Sequence, residues 1–197
     1  MRLIKSKVEL INQGSSIEDI YRHIELCGRV CYKSEDKITP DSAKEFVDRM
    51  INSGHGAMLE HGTVYLIIPL QSEEFHKYIM NPYSKVIAVT LNNGDSNAYI
   101  TSNYRVLVEH NWLDDLQYMC EPTEFHEKRI TVKWTCDRVT GESFLRHRVF
   151  SFARESTRYC NYSRDKFGNE LTFIIPSWLP WDEQVIHRGD FEKSGSG

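Results

Sequence analysis

Long apolar runs are absent from this sequence of 197 residues. No stretch approaches the roughly 18 consecutive apolar residues of a membrane-spanning helix. The opening residues, MRLIKSKVELINQGSS, also lack the apolar core of a signal peptide. We therefore expect a cytoplasmic protein that has no membrane partner.

Paired cysteines are absent as well. The five cysteines are odd in number and form no CxxC pair; they are Cys27, Cys31, Cys120, Cys136 and Cys160. This pattern argues against a disulfide framework and against a zinc site, and it favours buried thiols. We expect no bound metal.

Sequence motifs for phosphate-binding loops are also missing. The chain contains no GxGxxG, no GxxxxGK[ST] and no GxSxG motif, which excludes the common backbone cradles for phosphate and the nucleophile elbow. The net charge of -4 gives no overall attraction to nucleic acid. Any phosphate ligand would therefore be held by side chains in a local basic patch.

The residues that are present predict an ordinary globular fold, with 40% apolar and 26% charged residues. Capping and apolar spacing predict two helices, one from a Ser15–Glu18 capping box to about Cys31 and one from Thr39–Pro40 to Gly54. The β-branched run at 63–70 predicts a strand.

Further along, the pattern predicts alternating strands and helices. They are a short helix at 72–80, a hairpin over 86–101, helices at 102–110 and 112–120, a strand at 130–136, a helix from Thr140 through Phe152, and a strand at 171–175. This mixed order predicts an α+β fold with helices packed on a largely antiparallel sheet. We expect a single domain over 1–176, followed by a polar tail over 177–197.

The main chemical feature is the stretch RHRVFSFARESTRY at 146–159. Between residues 146 and 166 there are six basic and two acidic side chains. Arginine forks suit phosphate or carboxylate and tolerate partial burial, so we expect the interleaved apolar residues to hold them rigidly. A solvated helix face is the alternative. Because successive helical residues turn by about 100°, Arg146, His147 and Arg148 would fan out, so either the helix ends there or the site lies between subunits.

A second candidate is GHGAMLEHG at 54–62, where a helix end meets a strand. His55, Glu60 and His61 could be considered metal ligands, but their spacing is not that of HExxH. The other interpretation is a turn whose histidines bond to the backbone.

Three blocks in this order resemble the flavin-dependent thymidylate synthases. They are GRVCY at 28–32, GHGAMLEH at 54–61, and Arg146-His147-Arg148 followed by Ser151, Ser156 and Arg158-Tyr159. The resemblance implies methylation of dUMP to dTMP, with methylenetetrahydrofolate as carbon donor and NADPH-reduced FAD as hydride source. It also implies a homotetramer whose subunits share active sites, and no nucleic-acid partner.

The resemblance also implies roles for individual residues. The FAD contacts would be Arg146, His147, Arg148, His55 and Glu60. The dUMP contacts would be Ser151, Ser156, Arg158, Tyr159 and Arg154. Ser156, His55 and Arg158 would serve catalysis, with Ser156 orienting or polarising the nucleotide.

The chain departs from the family pattern at several places. Ala57 replaces a common hydroxyl residue, Ser143 replaces a usual glutamine, and Arg154-Glu155 replaces a typical Asn-Glu pair. Residues 71–128 form an insertion relative to compact members, and the resemblance predicts a further C-terminal region beyond Pro176. An alternative expectation is therefore a catalytically inactive or truncated relative that binds FAD or a nucleotide.

Single-stranded nucleic acid is a third possible ligand, since arginines and aromatics neutralise phosphates and stack on bases. The net negative charge disfavours it.

Overall fold

The computed structural model describes residues 2–92, 94–156 and 171–185. Contacts within the chain divide it into two compact units. The central unit is Asn12–Thr131, and the terminal unit combines Met1–Ile11 with Val132–Gly197. Helices and mainly antiparallel sheets occur among the described residues, which confirms the α+β class. The predicted boundaries of domain, insertion and tail stay predictions.

The strands and α-helices are numbered along the chain. The strands are β1 (Arg2–Lys5), β2 (Lys7–Ile11), β3 (Thr63–Pro69), β4 (Lys85–Thr90), β5 (Ser96–Asn103), β6 (Thr131–Thr135), β7 (Thr172–Ile175) and β8 (Gln184–Val185). The α-helices are α1 (Ile17–Tyr32), α2 (Ser42–Asn52), α3 (Gly56–Leu59), α4 (His76–Ile79), α5 (Tyr104–Glu109) and α6 (Arg138–Phe144). Short 3₁₀ helices span Glu35–Lys37, Glu73–Phe75 and Leu113–Tyr118.

Helix α1 confirms the first predicted helix, but its N-cap lies one residue later than predicted. The backbone N–H of Asp19 donates to the Ser16 hydroxyl, so Ser16 is the N-cap and Ser15 is not. Two adjacent serines with acidic residues three positions later, Glu18 and Asp19, offer nearly equal caps.

Helix α2 confirms the second predicted helix, again with a later start. The Thr39 N–H donates to the Ser42 hydroxyl at 2.9 Å, so the residues from Thr39 to Asp41 form a turn before the helix. The predicted C-terminal glycine is confirmed: Gly54 has a φ of +70°, which glycine adopts without steric cost. That turn leads directly into α3.

The central unit contains a three-stranded antiparallel sheet in the order β3-β5-β4. It confirms the predicted strand at 63–70 and the predicted hairpin. Its apolar side chains pack with those of α1 and α2 into one core; the largest fully buried ones include Ile20, Ile24, Val47, Leu66, Tyr78, Ile100 and Leu107.

The outer edge of β3 is partly covered by its own chain. The Gln13 carboxamide accepts from the Thr63 N–H at 2.9 Å and donates to the Thr63 carbonyl at 2.7 Å. Further along, the Cys120 N–H donates to the Tyr65 carbonyl at 3.0 Å. Side-chain and loop groups therefore take the place of a neighbouring strand at these points.

The terminal unit is built from small sheets. Strand β1 pairs in parallel with β7 and antiparallel with β8, while β2 pairs with β6. The predicted strands at 130–136 and 171–175 are confirmed as β6 and β7. Strands β1, β2 and β8 were not predicted. In the part of the chain that the structure describes, no helix is long and apolar enough to span a membrane.

Candidate functional site

The segment 54–61 in the central unit contains the tight turn at Gly54 and the four-residue helix α3. After Gly54, the His55 N–H donates back to the Met50 carbonyl at 2.9 Å, and α3 begins at the next residue. His55 is exposed at the start of α3, whereas Leu59 at its end is buried in the core. The segment is thus anchored in the core by Leu59 and exposes His55 to solvent.

Two of the three predicted blocks meet in the central unit. The hydroxyl of Tyr32, at the end of α1, lies 3.4 Å from His55 Nδ1. The Cys31 thiol donates to the Met58 sulfur at 3.8 Å. A Cβ atom at Gly28 would lie 2.5 Å from the Phe46 ring and 3.7 Å from Met58. The glycine is therefore needed for the close approach of α1 to its neighbours.

Glu60, a predicted cofactor contact, is held by an arginine that the sequence analysis missed. The Arg105 Nη1 donates to Glu60 Oε1, and its Nε donates to Glu109 Oε1 at 2.7 Å. The i,i+4 spacing of Arg105 and Glu109 on one helix could have indicated the second contact. Glu60 lies 45 residues away along the chain, and no local pattern indicates that pairing.

Arg29 of the GRVCY block has a structural role, because its side chain binds groups inside the protein. Its guanidinium donates to the buried Glu25 carboxylate, whose other oxygen accepts from the Ser42 hydroxyl at 2.9 Å. The same guanidinium lies 4.9 Å from the centre of the Phe46 ring, within range of a cation–π interaction. Arg29 therefore helps to join α1 to α2.

Helix α1 also contains a buried histidine, His23. His23 is hydrogen-bonded through Nε2 to the Thr131 hydroxyl at 2.8 Å. Burial, with a smaller repulsion from His61, lowers the pKa of His23 to about 4. His23 is therefore neutral at pH 7 and contributes to structure.

The arginine motif lies in the terminal unit, and its predicted helix is wrong beyond Phe144. Helix α6 begins at Arg138, where Asp137 caps the Thr140 N–H, and it ends before Arg146. Residues 145–150 form turns and 151–156 have no regular structure. The first of the two predicted alternatives therefore holds: the helix ends at the motif. Because Arg146, His147 and Arg148 do not lie on a helix, helical geometry gives no reason to place the site between subunits.

The expected apolar frame around the arginines is also wrong for the described residues. Arg146, His147 and Arg148 are exposed, and so are Val149 at 89% and Phe150 at 62%. The motif is thus a mixed apolar and cationic surface. Its aromatic rings contact one another: the centres of the His147 and Phe150 rings lie 5.9 Å apart, and Phe150 meets Phe152 edge-on at 6.1 Å.

Acidic partners separate the described arginines of α6 and the motif after it into two groups. Glu142 Oε1 lies 3.5 Å from Arg138 Nε and 3.3 Å from Arg154 Nη1. No acidic side chain among the described residues pairs with Arg146 or Arg148. These two exposed guanidinium groups therefore differ from those of Arg138 and Arg154, which are paired with Glu142.

A shallow depression on the terminal unit brings several of these residues together. It is lined by Arg138, Val139, Glu142, Ser143 and Arg146. The Ser143 hydroxyl donates to the Val139 carbonyl at 3.1 Å, so it is oriented along α6. Arg138 and Glu142 were not predicted; their i,i+4 spacing on α6 was the available signal.

The remaining predicted residues are placed only in part. Ser151 is exposed and Ser156 is half-buried, both in the segment after α6. Arg158 and Tyr159 lie outside the described residues. Within the described ranges, no group of three His, Cys, Asp or Glu side chains could hold a metal ion.

Comparison with known protein families gives one match. Residues 87–193, more than half of the chain, match the family described as thymidylate synthase complementing protein. Comparisons with curated proteins and with solved structures give no match.

Proposed function

Since this chain belongs to the thymidylate synthase complementing protein family, the flavin-dependent thymidylate synthases, we propose that it methylates dUMP to dTMP. Membership supports a function related to thymidylate synthesis. The substrates, the cofactor and the residue roles below are parts of the proposal.

The observation that carries the proposal is the pair of exposed arginines without acidic partners, Arg146 and Arg148. A planar guanidinium presents paired donors that match phosphate oxygens. Both FAD and dUMP carry phosphate. By contrast, Arg138 and Arg154 already donate to Glu142 and are less available to an anion.

The donors and rings on the terminal unit fit FAD by their chemistry. Arg146 and Arg148 would hold its diphosphate, and the His147 ring beside Phe150 offers an aromatic surface. In the central unit, His55 and Glu60 are the proposed further contacts, with Tyr32 and Arg105 fixing their side chains. Bound FAD, once reduced by NADPH, would supply the hydride.

The substrate side of the proposal uses hydrogen-bonding residues after α6. Ser156 would orient or polarise dUMP, with Ser151 and Arg154 as neighbours in sequence. An unactivated serine is a poor nucleophile without a base, so Ser156 is assigned an orienting role. Arg158 and Tyr159 complete the proposed dUMP contacts, and methylenetetrahydrofolate would supply the carbon.

We also propose a homotetramer. Val149 and Phe150 are large, exposed and adjacent to the unpaired arginines. Apolar side chains of this size are covered when subunits associate. A subunit contact here would also exclude water from the arginines and strengthen their hold on phosphate.

The proposal is tested by cofactor uptake followed by turnover. The purified protein should take up FAD and show the visible absorption of oxidised flavin, and it should release tritium from 5-tritiated dUMP when given NADPH and methylenetetrahydrofolate. Ser156→Ala should lower tritium release far more than it lowers the melting temperature. A colourless protein that takes up no FAD would refute the proposal.

The same experiment separates the alternative, a binding protein without catalysis. Ala57 and Ser143 favour that alternative, since both replace side chains that the family uses for hydrogen bonds. It predicts FAD uptake with no tritium release.

A further inference from the structure

Arg105 makes an unusual link between helices α3 and α5. Its guanidinium donates to two carboxylates, through Nη1 to Glu60 and through Nε to Glu109 at 2.7 Å. Glu109 belongs to the same helix, so that contact fixes the direction of the arginine side chain. The contact with Glu60 is the one that crosses to the turn carrying His55.

The Arg105 side chain packs against the start of α3. A Cβ atom at Gly56, the first residue of α3, would lie 3.1 Å from Arg105 Nε and 3.2 Å from Glu109 Oε1. The arginine therefore lies directly against the α3 backbone. Helix α3 has only four residues, and a single turn is not stable without tertiary contacts.

The chemistry requires arginine in particular. The two donors point in different directions from one rigid plane, so each can serve a separate carboxylate. A lysine ammonium is a single point charge on a flexible stem and would not keep both contacts while packing on Gly56. The hydrogen bonds to Glu109 and Glu60 raise the pKa of Arg105, which favours the charged guanidinium.

We infer that Arg105 is a positioning residue for the cofactor site: it orients the Glu60 carboxylate and holds the 54–61 turn that presents His55. This inference rests on the proposed function, in which His55 and Glu60 contact FAD. Arg105 itself touches no reacting atom in this assignment. Its effect passes through Glu60.

A double-mutant cycle tests the inference. The variants are Arg105→Gln, Glu60→Gln and the two combined, and the readouts are the FAD dissociation constant, from flavin fluorescence, and the melting temperature. Each single change should weaken FAD binding about tenfold. The double variant should bind FAD about as weakly as Glu60→Gln alone, because residues that act through each other are not additive.

Two matched controls accompany the cycle. Glu109→Gln removes the charge of the intrahelical contact but leaves an amide oxygen that can still accept from Arg105 Nε, so it should change FAD affinity less than threefold. Lys44→Gln breaks another i,i+4 ion pair of the central unit, the one with Asp48, and should leave affinity unchanged. If Arg105→Gln does not fold, Arg105→Lys replaces it; this variant keeps the charge and should still weaken FAD binding.

The outcomes are distinct. If the losses of FAD affinity from the two single changes multiply in the double variant, Arg105 acts independently of Glu60. That result would overturn the inference while the proposed function stands. A lower melting temperature with unchanged FAD affinity would also overturn it, because the role would then be structural only. If the wild-type protein takes up no FAD, the proposed function fails and the inference fails with it.

Discussion

The central and terminal units differ in charge and in the use of their apolar residues. The central unit has 18 acidic and 11 basic residues, a net charge of -7, while the terminal unit has 10 acidic and 13 basic residues, a net charge of +3. The overall charge of -4 therefore hides a basic unit. The composition of the whole chain is a poor guide to where an anion binds.

Burial shows the same contrast. Most buried apolar side chains belong to the central unit, and among the described residues of the terminal unit only Leu3 and Ile175 are buried apolar ones. The terminal unit instead exposes large apolar groups, such as Val139 and Trp178. Substitutions in the central unit should therefore act mainly on stability, and those at the arginine motif mainly on ligand binding.

The largest expected effect comes from the buried ion pair of the central unit. Arg29→Met leaves the Glu25 carboxylate, which is 1% exposed, without its cation. Breaking such a pair costs about 3–5 kcal/mol, which urea unfolding would measure. Arg22→Met, at an exposed pair with Asp19, is the control and should cost far less. Equal losses would mean that the Glu25 pair is not effectively buried.

Acid should destabilise the central unit through His23. Its folded-state pKa of about 4 lies below the ordinary value of 6.5, so the unfolded chain takes up the proton first. The contribution of the neutral His23 imidazole to the free energy of unfolding is complete above pH 6.5. It decreases as the pH falls toward 4 and does not decrease further below that. The loss amounts to about 3 kcal/mol.

The measurement compares unfolding free energies at pH 7 and pH 4.5 in the wild type and in His23→Gln. Glutamine can still bond to Thr131 but does not titrate. The wild type should lose more stability than the variant over this interval. Identical pH dependence would show that His23 is not the group responsible.

A pair of glycine substitutions compares the packing of the two units. Gly28→Ala in α1 would place Cβ 2.5 Å from the Phe46 ring, which is buried and lies between Arg29 and Arg49. Overpacking of this kind costs about 1–3 kcal/mol. Gly141→Ala in α6 meets only ordinary contacts, the nearest at 3.7 Å, and should stabilise by about 0.5–1 kcal/mol. Thermal unfolding that moves both variants in the same direction would contradict the comparison.

The smallest expected effect concerns ligand affinity alone. Arg148→Lys in the terminal unit keeps the charge but loses the paired donors, so FAD affinity should fall about tenfold, or about 1.4 kcal/mol. The melting temperature should not change, because Arg148 is exposed and has no acidic partner among the described residues. Unchanged affinity in a fluorescence titration would remove Arg148 from the proposed site.

Sequence patterns predicted the elements whose apolar side chains repeat at a regular spacing. Helices α1 and α2, strand β3 and the hairpin of β4 and β5 all pack on one core, so burial leaves a periodic signal. Strand β2 gave no such signal, since Val8 and Leu10 are exposed, and β1 has only four residues, of which Leu3 alone is buried. Their pairing depends on β7 and β6, which lie far along the chain.

The candidate site was predicted in its residue types but not in its local structure. The end of α6 at Phe144 has neither glycine nor proline to mark it, so the apolar spacing through Phe152 suggested a longer helix. The partner of Glu60 could not be predicted because Arg105 comes from a different helix. The block GHGAMLEH indicated where the turn lies, but the contact between Glu60 and Arg105 that supports it could be identified only from the structure.

Gln13 has a consequence for how the central sheet avoids pairing edge to edge with a strand of another molecule. By offering both an acceptor and a donor to Thr63, its carboxamide imitates one residue of a missing strand, and the Cys120 contact continues that imitation. In this sheet β3 is thus covered at Thr63 and Tyr65, whereas β4 pairs only with β5 among the described strands. Pairing of this sheet with a strand of another molecule would meet the fewest obstacles along β4, whose sequence includes the β-branched run VIAVT.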